Sequence, residues 1–154
     1  MEQGQMRQLI RETLQKFELY SESAEELLML TAAQESLLGY YIEQVKGPAI
    51  GIFQMEIATY DDIYKNYLAY NHLTCMYLHN ASQSVACMVN ADTMRFNLKY
   101  AICMARIHYL RVEEPLPKAW DWRGLAEYYK RYYNTYKGSA TVEEAIDNYK
   151  KYAI

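Results

Sequence analysis

Between positions 35 and 59 the chain reads ESLLGYYIEQVKGPAIGIFQMEIAT, and this stretch holds the side chains best suited to chemistry. Glu35 ends an apolar run whose spacing predicts a helix from the Ser23-x-x-Glu26 capping box to about Leu38, with Gly39 as a natural left-handed C′ residue. A carboxyl in the last turn of an apolar helix faces the negative end of the helix dipole and loses water. Both effects favour the neutral acid, so a raised pKa is expected, and with it the capacity to act as a general acid or base. A glycine-punctuated loop follows, Gly47-Pro48-Ala49-Ile50-Gly51, and then Gln54, whose amide can bond either a ligand or the backbone.

The elements that must position these groups are mostly helical. Met6, Leu9, Ile10, Leu14 and Phe17 recur near the helical period and predict a first helix over 5–19. Tyr40 to Val45 is rich in β-branched and aromatic residues ahead of Lys46-Gly47-Pro48, which predicts a short strand or hairpin. Thr59-x-x-Asp62 reads as a second capping box, and Asn71 to His79 as a short helix. The longest periodic segment, Thr93 to Val112, carries Met94, Leu98, Ala101, Ile102, Ala105 and Tyr109 as a wide apolar stripe. It predicts one central helix, capped by Asp92 or Thr93 and stopped before Pro115. Asp121 caps a helix to about Tyr133, and Thr141-x-x-Glu144 opens the last one. The expected class is therefore mainly α, in a single domain over 1–154, with one small β element directly after Glu35.

Composition narrows the function. A net charge of −3, with no run of like charge, gives no electrostatic basis for nucleic-acid or membrane-surface binding. No stretch approaches ~20 apolar residues, so no membrane span is expected, and the charged N-terminus does not read as a signal peptide. Cys75, Cys87 and Cys103 form no C-x-x-C pair, and His72, His79 and His108 stand at no metal-ligand spacing. Neither a metal, a cofactor nor a disulfide framework is expected, and Cys103 reads as a small core residue. The 17 tyrosines suit half-buried packing and sugar contact alike, since each pairs a flat apolar body with a polar tip.

The stretch from Glu35 to Thr59 resembles the lysozyme-like superfamily, in its lytic transglycosylase branch. That family has Glu-Ser at a helix end, a Gly-Ala-x-Gly-Leu-Met-Gln loop, and a Thr five residues after the Gln. Here stand Glu35-Ser36, then Gly47-Pro48-Ala49-Ile50-Gly51-Ile52-Phe53-Gln54, then Thr59. Tyr132-Tyr133-Asn134-Thr135 is similar to the family's Tyr-Asn-Ala-Gly element. The chain departs from the pattern at Pro48, at Ile57 in place of a proline, and at Gly138, which lies downstream of its usual place. Together with the run Arg106 to Arg111, the match looks most like transglycosylase-like proteins carried in tailed-phage virions.

The resemblance implies a lysozyme-like fold with a small β-hairpin after the catalytic helix. It implies cleavage of the β-1,4 bond between MurNAc and GlcNAc in peptidoglycan, with Glu35 as acid and then base. Ser36, Gln54, Tyr133 and Asn134 would be substrate-binding, with Ser36 better suited to orienting Glu35 or capping backbone. A hydrolytic muramidase would need a second carboxylate, for which Glu43 and Glu56 are the candidates. The implied partners are the glycan strand and other virion or tail proteins. A structural tail component keeping the fold without activity is the other class of reading.

Overall fold

Helix α6, Leu98–Leu110, is the centre of the fold: Tyr100 to Ala105, Ile107 and Tyr109 are all buried. The structure, a computed structural model, describes residues 1–83, 89–135 and 138–154. Around α6 pack α1 (Gln3–Lys16), α2 (Glu22–Ser36), α3 (Ile57–Asn66) and α4 (His72–Ser82). Helices α7 (Trp122–Tyr129) and α8 (Val142–Tyr152) close the core against α2. Short elements join them: a 3-10 turn at Leu68–Tyr70, α5 at Thr93–Phe96, and a π-helical turn at Lys130–Asn134. Strands β1 (Ala49–Ile50) and β2 (Met55–Glu56) form an antiparallel hairpin with Ala49 opposite Glu56. The molecule is thus mainly helical with one small hairpin, as its sequence pattern requires. Among the described residues no helix is long and apolar enough to cross a membrane.

Several expected boundaries move, each for a local reason. Helix α2 is capped by Ser21, whose side chain accepts from Ala24 N, and not by Ser23; Glu26 is drawn instead to Arg7 and Tyr149. It ends at Ser36, not Leu38, because Leu37 and Leu38 already take left-handed backbone ahead of Gly39. Helix α3 begins at Ile57, so Thr59 lies inside its first turn and caps nothing. The predicted 93–112 helix is two helices. Asn97 is extended, and its side chain accepts from Tyr100 N, which starts α6 afresh. A side-chain cap competing with the ladder explains the break inside an unbroken apolar stripe. The Thr141–Glu144 capping box and the Asp121 cap form as expected. Cys103 is buried in the core; Cys87 lies outside the described residues.

The β element is also displaced. Residues 42–44 make only a single bridge, Glu43 to Ile50, with Gln44 N donating to Ala49 O at 2.9 Å and Gly51 N to Ile42 O at 2.8 Å. The hairpin proper turns at 51–54. Gly51 is indispensable there on two counts. Its φ is +74°, and a Cβ would stand 2.7 Å from the Met94 carbonyl oxygen. Gly51→Ala is expected to cost about 2–4 kcal/mol in denaturant unfolding, since strained backbone and a clash with backbone add. An unchanged midpoint would show that the hairpin does not depend on this close approach.

Candidate active site

Glu35 sits in the last turn of α2, half-buried, at the edge of a cleft of about 380 Å³. Its Oε1 accepts from the Tyr129 phenol at 2.5 Å, and among the described residues nothing bonds Oε2. Burial raises its pKa from 4.5 to about 7; the Tyr129 bond, which favours the carboxylate, only partly opposes this. Tyr129 is itself buried, and burial together with the neighbouring Glu35 holds its phenol protonated. The pair therefore presents one oxygen clamped by a donor and one free to exchange a proton near neutral pH.

The chain reverses directly after the acid. Leu37, Leu38 and Gly39 have φ of 50°, 59° and 84°, a run of left-handed backbone that two non-glycine residues adopt at a cost of about 1–2 kcal/mol each. Ser36 holds this reversal. Its hydroxyl donates to Ala32 O and accepts from Gly39 N at 2.8 Å, and the residue is fully buried. It does not line the cleft, so the substrate-binding role is replaced by that of a backbone clamp behind Glu35.

Gln54, at the end of the hairpin turn, lines the cleft with φ of 45°. Its Nε2 donates to Gly51 O at 2.6 Å, which orients the amide and leaves Oε1 without a donor among the described residues. Tyr133 lines the same cleft and ties the hairpin to the helices, donating to Phe53 O at 2.8 Å. Its ring stacks on Tyr129 at 6.1 Å and lies 5.3 Å from Tyr109, so part of the tyrosine excess forms one aromatic wall behind the acid. Asn134 follows into the cleft. Lys130 Nζ donates to its Oδ1 and to Gly138 O, both at 2.8 Å, joining the end of the π turn to Gly138.

The two further carboxylates part company. Glu43 is exposed, ion-paired with Arg95, and outside the cleft, which removes it as a second catalytic carboxylate. Glu56 lines the cleft at its exposed rim.

Tyr129, which bonds Glu35 from the buried side, and His108, which lines the cleft, are residues that sequence reasoning passed over. Tyr129 precedes Tyr133 by four positions and could have been read as sharing its helix face. The π turn that actually sets their relation has no sequence signal of its own. His108 enters the sequence reading only as a histidine without metal-ligand spacing and within the run Arg106 to Arg111. Among the described residues no cluster of His, Cys, Asp and Glu could hold a metal ion.

The chain matches no protein-family model, no curated protein and no solved structure.

Proposed function

We propose that this protein cleaves the β-1,4 glycosidic bond of peptidoglycan as a lytic transglycosylase of lysozyme-like type. The observation that carries the reading is Glu35, an acid that retains its proton up to about pH 7 beside a cleft shared with Gln54, Tyr133 and Asn134. In the first step Glu35 Oε2 gives its proton to the glycosidic oxygen as the C1–O bond breaks and the sugar becomes oxocarbenium-like. The sugar's own C6 hydroxyl then bonds to C1 and returns its proton to the Glu35 carboxylate. The product is a 1,6-anhydro end, with no water consumed. The free Gln54 Oε1 and the Asn134 amide suit hydroxyl and N-acetyl groups, and burial keeps the acid neutral against the Tyr129 bond.

Glu56 at the cleft rim favours one variant, a muramidase in which that carboxylate activates water; Glu43, paired with Arg95, does not serve it. Digestion of purified sacculi and mass analysis of the muropeptides separates these. Anhydro ends are expected; reducing ends would assign the muramidase, and intact sacculi would assign a structural component. Carriage on a tailed-phage particle belongs to the same proposal. Mass spectrometry of purified virions should find the chain, and its absence there would assign a free lysis enzyme.

A further inference from the structure

His108 lines the cleft, yet no step above uses it. Its Nδ1 lies 2.7 Å from Arg111 Nη2. A guanidinium carries only donors and stays charged, so Nδ1 must accept and the ring proton must reside on Nε2. Arg111 is fixed from α3, where it donates to Asp62 Oδ2 at 2.5 Å; Asp62 also takes Asn66 Nδ2 at 2.6 Å. A second proton on Nδ1 would confront the guanidinium. Burial first, and Arg111 with it, lower the His108 pKa to about 4. The Tyr132 carbonyl and Asp62 act against that fall. Tyr132 and Tyr133 both belong to the π turn. The ring also packs edge to face on Tyr133, with centroids 4.8 Å apart at 77°.

We propose that His108 is a positioning residue: a neutral imidazole, held in one tautomer and one orientation by the Asp62–Arg111 pair, whose edge-to-face contact sets Tyr133 in the sugar-contacting wall. The proposal rests on the glycan-cleaving reading for its ligand but not for its tautomer. Two measurements on the full chain separate them. Nitrogen-15 NMR of the histidines should show His108 as the Nε2–H form from pH 5 to 8, with no titration in that range; an Nδ1–H ring, or a midpoint near 6.5, overturns the proposal. Chitotetraose binding is then compared across variants. His108→Phe keeps a ring against Tyr133 but loses the Arg111 bond that orients it, and is expected to weaken binding about 10-fold. His108→Ala, which loses the ring contact as well, should weaken it further. In cleavage assays the Phe variant should raise KM, leaving unmoved the pH limb that Glu35 sets. Binding that His108→Phe leaves intact overturns the role of His108 alone. A wild-type protein with the expected tautomer that binds no oligosaccharide overturns the glycan reading, and the wall's role with it.

Discussion

Glu35→Gln is expected to lower the rate of strand cleavage by about 10²–10⁴-fold, the range that positioned acid–base groups supply. The substitution keeps the shape and one acceptor for the Tyr129 phenol but removes the titrating proton. The same variant should be more stable than the wild type at alkaline pH. The folded carboxyl titrates at about 7 against an ordinary 4.5, so the folded state binds more protons between those values. Stability contributed by the neutral acid is fully present below about pH 4.5 and is lost as pH rises through 7. Glutamine cannot lose it. At pH 8 the variant should gain about 1–3 kcal/mol, and at pH 4 almost nothing, in parallel denaturant titrations. The wild-type kcat/KM should fall on a basic limb near pH 7, where the donor loses its proton. Cleavage that survives in the variant, or a stability difference equal at both pH values, would remove Glu35 from the assignment.

Arg7→Leu should cost about 3 kcal/mol of stability at pH 7, without touching the cleft. Arg7 donates to Glu25 at 3.2 Å, to Glu26, and to Ala153 O at 3.3 Å, so one guanidinium joins α1, α2 and the end of α8. Glu25 is almost wholly buried; its other partner is Arg11, at 2.8 Å. Burial alone would raise the Glu25 carboxyl, but the bonds from Arg11 and Arg7 outweigh it and hold the pKa below the ordinary value. That stabilisation is present above the unfolded pKa of about 4.3 and is lost as pH falls through the lower folded value. Removing Arg7 leaves two neighbouring carboxylates with Arg11 as their remaining cation. The penalty should therefore shrink at pH 4, where Glu25, without Arg7, can take up a proton. Thermal or denaturant midpoints at pH 7 and pH 4 measure this; a penalty that does not diminish in acid would show that Arg7 acts by packing alone.

Much of this architecture is legible in one dimension. Apolar period marks α1, α2, α6 and α8, because burying a stripe is what stabilises a helix and the stripe is written in the residue order. The caps at Asp121 and Thr141 are equally readable, since a cap acts within four residues of itself. Glu35 stands out for the same kind of reason: an acid closing an apolar helix is a local contradiction, and the cleft explains it.

What sequence order left undecided depends on contacts between distant segments. Asn97 splits an unbroken apolar pattern, with its Nδ2 also donating to Ser82 O at 2.9 Å across the fold. Ser36 and Gln54 look equivalent as polar neighbours of a motif. Only packing sends one hydroxyl beneath the chain reversal and leaves the other amide at the cleft. Glu43 and Glu56 differ because Arg95, a third of the chain away from Glu43, pairs with the first alone. Tyr129, 94 positions from Glu35, becomes its partner when α7 packs on α2. Residue types and spacing thus determined the helices, the small hairpin and the candidate acid. The acid's partner, its surroundings and the fate of each neighbouring polar group were decided by tertiary structure, because burial and long-range hydrogen bonds exist only once the elements have met.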